Sequence, residues 1–209
     1  MKYSLNSDQD CRAIEFLQPT RPVLCTSKNE DGSDHIAPFG WCSPVSQNPP
    51  KLVIAIHHLP KKSKTLINIE RSNEFVINLP QLNIAQTVIE TSIRITRGEN
   101  KFDRSGFTRL ESILVKPVCV SECAACLECK VSHILYTGDH ALIIGDILLT
   151  HYDSKYFGED GLWKLDESIP LIHLGHKNLS EVLQEHYLID GCNKVLKVSI
   201  PKKKKSSKG

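Results

Sequence analysis

Runs of apolar residues separated by polar and turn-forming residues organise the first half of the chain. Residues 51–57 form a nearly continuous apolar run, which predicts a buried strand. Residues 21–27 and residues 74–79 are also rich in strand-forming side chains. Residues 35–41 predict a further strand, and Pro38 inside it favours an edge or bulged position. The first half is therefore predicted to be mainly β-structure.

The second half carries two longer strand patterns. Residues 128–137 and residues 141–152 are joined by Gly138-Asp139-His140, a hairpin turn sequence. Gly145 interrupts the apolar positions of the second pattern, which predicts a bulge or kink in a curved sheet. Two shorter strand patterns complete this half, at residues 115–120 and within residues 163–174.

Three segments have helical patterns. Residues 64–71 follow Ser63, a good helix N-cap, and place apolar side chains on one face. Residues 83–94 also repeat apolar side chains at helical spacing, and residues 180–186 form a third, shorter candidate. Residues 97–107 are polar and contain glycines, which predicts a loop.

Six or seven short strands in two groups, with two or three helices between them, predict a closed antiparallel barrel with helical insertions. No repeated βαβ unit of about 30 residues is present. We expect an N-terminal extension over residues 1–20, one domain over residues 21–190, and a C-terminal segment over residues 191–209.

The basic residues are concentrated at the C-terminal end. The 209 residues include 26 Lys+Arg and 24 Asp+Glu, a formal net charge of +2. Five lysines lie in the last eight residues, so the rest of the chain has 21 basic and 24 acidic side chains, a net of −3. We therefore expect a flexible lysine-rich tail, and no nucleic-acid surface on the body of the protein.

The sequence shows neither a membrane span nor a secretion signal. It has no run of about 18 apolar residues. The first 17 residues include Asp8, Asp10, Arg12 and Glu15 and lack an apolar core segment. We therefore expect a cytoplasmic protein.

The segment from Lys61 to Asn68 has the composition of an anion site. Three lysines and two hydroxyl side chains surround the start of the predicted helix, directly after the strongest predicted strand. Unpaired N–H groups and the helix dipole favour an anion at such a position. The alternative is a solvated basic turn with an ordinary serine cap.

The segment His35-Ile36-Ala37-Pro38-Phe39-Gly40-Trp41 is a second candidate site. Its proline-interrupted strand leaves backbone groups that can hydrogen-bond a planar heterocycle, and two aromatic side chains lie next to them. The alternative is an edge strand whose aromatic side chains only pack against the core.

Taken together and in this order, these segments resemble the flavin reductase-like family of FMN-binding split barrels, and the flavoredoxin-type proteins in particular. The resemblance runs from about Arg21 to His176. It rests on the motifs Pro22-Val23-Leu24-Cys25-Thr26-Ser27, Ile36-Ala37-Pro38-Phe39, Lys64-Thr65-x-x-Asn68-Ile69, Glu74-Phe75-Val76-x-Asn78-Leu79-Pro80, Leu127-Glu128-Cys129-Lys130-Val131 and Pro170-Leu171-Ile172-His173-Leu174-Gly175.

The resemblance implies a mainly β split barrel with a Greek-key-like strand order, a homodimer, and FMN bound near the subunit interface. By position in the motifs it implies contacts of three kinds. Thr26 and Ser27 would lie against the flavin ring; Phe39, Gly40 and Trp41 would flank it through their backbone; Lys64, Thr65 and Asn68 would hold the phosphate and ribityl chain. No side chain need act as a catalytic acid or base. The sequence departs from the family at His35, where asparagine is frequent, and at Lys64, where an acidic residue is usual.

The cysteines suggest a second kind of chemistry. The sequence contains eight, and without a secretion signal we expect free thiols. Four of them, Cys119, Cys123, Cys126 and Cys129, are spaced closely enough for zinc or an iron–sulfur cluster if residues 121–127 form a loop. The alternatives are free or redox-labile thiols, with Cys129 a core residue of the predicted strand.

The sequence therefore favours an FMN-dependent oxidoreductase of the flavin reductase type, with NADH or NADPH as electron donor. An FMN electron carrier that serves a redox partner protein is the first alternative. A zinc-stabilised interaction protein with a degenerate flavin pocket is the second.

Overall fold

The computed structural model describes residue 4, residues 11–93 and residues 98–173. Within these ranges the strands are β1 (Val23–Lys28), β2 (Asp34–Phe39), β3 (Cys42–Gln47), β4 (Pro50–His57), β5 (Glu74–Leu79), β6 (Arg109–Leu110), β7 (Cys119–Val120), β8 (Ala125–Thr137) and β9 (His140–Tyr152). The helices are α1 (Lys64–Ser72), α2 (Ala85–Glu90) and α3 (Lys101–Ser105), with 3-10 turns at Cys11–Leu17 and Leu82–Ile84.

Seven strands form one antiparallel sheet in the order β2-β1-β5-β8-β9-β4-β3, and β6 pairs with β7 separately. The two edge strands, β2 and β3, follow each other in the chain and are joined only by Gly40 and Trp41. The sheet must therefore curl until its two edges come close together. The strands that the structure describes nevertheless include no ladder between β2 and β3, so the barrel is split.

The expectation of a closed barrel is corrected at this seam. The backbone carbonyl of Trp41 accepts a hydrogen bond from the N–H of Ala55 (2.9 Å), which extends the β3–β4 pairing rather than a pairing with β2. Alternation of apolar residues predicts which face of a strand is buried, but it does not predict whether two edge strands pair.

The barrel encloses one apolar core. Side chains from β1, β4, β5, β8 and β9 contact each other in its interior, and Leu66 and Ile69 of α1 close one end. Gly145 lies where β9 approaches Phe75 closely, because a Cβ atom at this position would come within 2.5 Å of the ring carbon Cζ. The β8–β9 register shifts opposite this glycine, between Val131 and His133, so the predicted irregularity is present on the partner strand.

A second layer covers the outside of β1, β2 and β5. Leu24 and Ile36 of β1 and β2 pack in a cluster with Val88 of α2 and Phe102 of α3. Segment 107–120 continues this layer along the sheet. The side-chain amide of Asn78 connects the two layers, because it donates to the carbonyl of Leu24 (3.2 Å) and accepts from the N–H of Val120 (2.7 Å).

Several predicted elements differ from the structure. The predicted helix over residues 83–94 is shorter, a 3-10 turn followed by α2. The predicted loop over residues 97–107 contains α3, whose N-cap Asn100 accepts hydrogen bonds from the N–H groups of Phe102 (2.8 Å) and Asp103 (3.3 Å). The strand predicted over residues 115–120 is limited to β7.

No helix in the described part of the chain is long and apolar enough to cross a membrane. The helix predicted at residues 180–186 and the lysine-rich tail lie outside the described residues. The strand predicted within residues 163–174 appears as isolated bridges, in which Pro170 pairs with Gln81 and His173 with Thr20.

Candidate functional site: a polar cluster at the start of α1

The N-terminus of α1 begins as the sequence predicts. Ser63 adopts an extended backbone conformation, and its side-chain oxygen accepts a hydrogen bond from the N–H of Leu66 (3.2 Å). The N–H groups of the first helical turn have no partner within a helix, and the helix dipole gives this end a partial positive charge. Lys64 and Thr65 occupy the first two positions of the helix.

Polar side chains from β1 and β2 meet this helix end. His35 and Ser27 are cross-strand partners on β2 and β1. The ring nitrogen Nε2 of His35 lies 3.1 Å from the hydroxyl of Thr65. The amide nitrogen of Asn68 donates to the hydroxyl of Ser27 (3.1 Å) and to the side-chain oxygen of Asn29 (3.0 Å). The protein therefore holds hydroxyl, amide and imidazole groups together at one end of the barrel.

Two lysine side chains, Lys64 and Lys101, make this cluster cationic. Burial of the ring, followed by the charges of Lys101 and Lys64, lowers the pKa of His35 to about 4. His35 is thus neutral near pH 7 and faces two lysines. An anion placed among these groups would meet two cations, the helix dipole and several hydrogen-bond donors.

Lys101 is a member of this cluster that the sequence did not reveal. It is the first residue of α3, and its ammonium donates to the carbonyl of Thr91 (2.9 Å). The predicted loop gave no reason to place this lysine beside β2. The N-cap sequence at Asn100 was the available indication that a helix begins there.

Titration of His35 gives a prediction for the ligand-free protein. The folded ring takes up its proton only near pH 4, whereas the unfolded ring does so near pH 6.5. Protons therefore favour the unfolded chain between these values, and the free energy of unfolding should fall by about 3 kcal/mol across this window. Urea unfolding at pH 7 and pH 4.5 measures the loss, and His35→Asn should show a smaller one. Equal losses in the two proteins would contradict the prediction.

The break between β2 and β3 forms the second candidate region. The Trp41 ring packs against the ring of His140 in a tilted arrangement, with 4.6 Å between centroids, and Trp41 is more than one third exposed. Gly40 lies beside the buried His173, because a Cβ atom on Gly40 would be 3.5 Å from the Nδ1 atom of that ring.

Strand β2 links the polar cluster at the start of α1 to the break between β2 and β3. His35 and Phe39 point to the same face of β2, and four residues of strand separate them by roughly 13 Å. An elongated ligand with an anionic end and a planar end fits such a spacing. Thr26 is turned to the opposite face of β1, where its hydroxyl donates to the carbonyl of Val118 (2.5 Å). The Thr26 side chain thus bonds within the protein, whereas Ser27 belongs to the polar cluster at the start of α1.

The structure separates the four clustered cysteines. Cys119 and Cys126 form a disulfide, which corrects the expectation that both are free thiols. Cys123 packs in the outer layer and Cys129 in the barrel core, so the four sulfurs do not share one site. Burial raises the pKa of the thiols of Cys123 and Cys129, which keeps them protonated and unreactive.

Comparison with known proteins identifies the family. The family profile described as flavin reductase like domain matches residues 17–177. The chain belongs to this family. The flavin reductase-like chain is 34% identical over 142 residues to an uncharacterized protein of Archaeoglobus fulgidus. The aligned region covers 68% of this chain and 77% of the relative.

Solved structures of low sequence identity share the fold. The 2-nitrobenzoate 2-nitroreductase of Pseudomonas fluorescens aligns with a TM-score of 0.76 and 20% identity over all of both chains. The flavoredoxin of Desulfovibrio vulgaris (Miyazaki F) aligns with a TM-score of 0.71 and 22% identity, again over all of both chains. The resemblance found in the sequence and the predicted mainly β split-barrel fold are thereby confirmed.

Proposed function

We propose that this flavin reductase-like protein binds FMN and transfers electrons from NADH or NADPH to flavin or another acceptor. The observation that carries the proposal is the cationic cluster at the start of α1. Its member His35 lies on β2, the strand that ends at the Phe39-Gly40-Trp41 break. Membership of the family supports the same activity.

The groups present fit FMN at both ends. Lys64, Thr65 and the first-turn N–H groups of α1 would hold the phosphate, and Lys101 would add a second positive charge. Ser27 shares a hydrogen bond with Asn68, so we place both at the ribityl chain, although the resemblance implies that Ser27 lies against the flavin ring. The backbone of Phe39, Gly40 and Trp41 would flank the ring.

The side chains would bind and orient FMN, and the cofactor would supply the redox chemistry, hydride acceptance from a nicotinamide and onward electron transfer. His35 stays neutral near pH 7, so it shares a hydrogen bond with Thr65 without adding a third charge beside the lysines. No acid or base from this chain is assigned to the transfer. The residues of this chain would therefore position FMN and stabilise the charge of its phosphate.

The proposal includes a homodimer. The long β8–β9 hairpin exposes apolar side chains, among them Leu135 and Leu148. A second copy of the chain covering such side chains would remove apolar surface from water. This would place a neighbouring subunit near the flavin, as the resemblance implies.

Steady-state oxidation of NADH and NADPH tests the activity. We expect the full chain, loaded with FMN, to oxidise at least one of the two nicotinamides when free FMN is added as acceptor. Turnover supports the reductase. Tight FMN binding without turnover on either nicotinamide would instead support the electron carrier that serves a partner protein. A chain that binds no FMN would contradict both.

A further inference from the structure

A second cluster of reactive side chains lies on the outside of the barrel, away from α1. Cys119 belongs to β7, in the segment that covers the outer face of β8. Cys126 and His151 are cross-strand partners on β8 and β9. The redox activity proposed above uses none of these three residues.

The three side chains offer a set of ligands to one ion. The two sulfur atoms and a ring nitrogen of His151 all lie within 4.8 Å of one another. Thiolate and imidazole are the ligands that Zn²⁺ prefers in proteins, and zinc sites with three protein ligands keep a fourth position for water. The His151 side chain is about one quarter exposed, so this histidine lies next to solvent.

A buried carboxylate holds His151 in place. Oε1 of Glu128 lies 2.6 Å from Nε2 of His151, and the Glu128 side chain is fully buried. Zinc-bound histidines typically donate their second ring N–H to such a carboxylate, which fixes the tautomer and orients the ring. With the proton on Nε2, the Nδ1 atom of His151 has the lone pair that a metal requires.

Glu128 is not available as a ligand itself. Its oxygens also accept hydrogen bonds from the N–H groups of Ile113 (2.8 Å), Leu114 (2.6 Å) and Val115 (3.1 Å). Four donors thus surround the carboxylate. This arrangement gives Glu128 the role of a positioning residue for His151.

We propose that reduction of the Cys119–Cys126 disulfide creates a Zn²⁺ site made of Cys119, Cys126 and His151. An external dithiol supplies two electrons and two protons: the S–S bond breaks, two thiols form, and the dithiol leaves as its disulfide. Zn²⁺ then replaces the two thiol protons, which are released to solvent. Oxidation to the disulfide removes both sulfur ligands, so zinc binding and the disulfide exclude each other.

This ligand set differs from the four-cysteine cluster that the sequence suggested. Cys123 and Cys129 pack in the two other apolar clusters, as described above, and His151 takes part although it is 25 residues beyond Cys126. A purely structural disulfide would explain the two cysteines. It would not explain why a histidine held by a buried carboxylate lies against them.

Metal binding to the full chain tests the proposal. Reduced and oxidised samples, both stripped of flavin, are titrated with Zn²⁺ against a chromophoric chelator under anaerobic conditions. We expect one high-affinity Zn²⁺ per reduced chain and none in the oxidised chain. Co²⁺ in place of Zn²⁺ should give the sulfur-to-metal charge-transfer bands and intense visible bands of a tetrahedral thiolate site.

Two substitutions and two matched controls locate the ion. We expect His151→Gln and Cys126→Ser to weaken zinc binding to the reduced chain at least roughly a hundredfold. Cys123→Ser changes a buried cysteine in another cluster, and His133→Gln changes an exposed histidine of β8, so both should leave the affinity unchanged. FMN binding, measured on the same samples, reports on the flavin site separately.

Two results would overturn the proposal. One is a reduced chain that binds zinc no more tightly than the oxidised chain. The other is a His151→Gln protein that keeps wild-type affinity and the same cobalt spectrum. The comparison of reduced with oxidised wild-type protein needs no substitution. It therefore tests the proposal even where a variant fails to fold.

Discussion

The double substitution Lys64→Ala with Thr65→Ala should weaken FMN binding at least roughly a hundredfold. Hydrogen bonds to a charged group contribute about 1.5–3 kcal/mol each, and the double variant removes one cation and one hydroxyl from the proposed phosphate site. The N–H groups of the α1 backbone remain, so some affinity for the phosphate should persist. Fluorescence titration of the flavin-free protein gives the dissociation constant.

Riboflavin, which lacks the phosphate, sharpens this experiment. If Lys64 and Thr65 hold the phosphate, the double variant should bind riboflavin about as well as the wild-type protein does. Lys130→Ala is the matched control, because Lys130 is an exposed lysine of β8 outside the proposed phosphate site. An equal loss for both flavins would show that the substitutions disturb the whole pocket, and unchanged FMN affinity would refute the assignment.

Glu128→Gln should produce the largest loss of stability among the single substitutions considered. The wild-type carboxylate accepts from three backbone N–H groups and from His151 in a fully buried position. A glutamine of the same shape loses the charge and turns an NH₂ group toward some of these donors. Removing one partner of such a buried charged network costs about 3–5 kcal/mol.

Urea unfolding of the oxidised, metal-free protein measures this effect. The matched control is Glu74→Gln, because Glu74 accepts a hydrogen bond from the backbone N–H of Lys116 in the same covering segment (3.0 Å) but in an exposed position. Its loss should stay below about 1 kcal/mol, in the range of exposed polar contacts. Similar losses in the two variants would show that burial of Glu128 does not dominate its contribution.

Local sequence was sufficient for the elements with strong patterns. The apolar run of β4, the cap at Ser63 and the strand-forming side chains of residues 74–79 predicted three consecutive elements, β4, α1 and β5. The short helix α3 escaped prediction because it presents a single fully buried side chain, Phe102, and its remaining positions are polar. A helix this short depends on tertiary contacts rather than on periodicity.

The sites depended on contacts that sequence spacing does not report. Lys64, Thr65 and Asn68 could be predicted as candidates because one short segment, which resembles a family motif, contains all three. Lys101 and His151 were missed because each reaches its cluster from a distant element. The four cysteines looked like one site because they are close in sequence, but β8 begins earlier than predicted and sends Cys126 and Cys129 to opposite faces of the sheet.

The seam between β2 and β3 has a consequence for how molecules of this protein meet each other in concentrated solution. An unpaired strand edge is a template on which a strand of another molecule can add, and such addition leads to aggregation. Each edge of this sheet carries a proline, Pro38 in β2 and Pro44 in β3, and the β3–β4 register shifts just after Pro44. Proline offers no N–H to an incoming strand, and an irregular edge cannot template a continuous ladder. The barrel therefore stays open along the side where its ligand is proposed to bind, without recruiting strands from its neighbours.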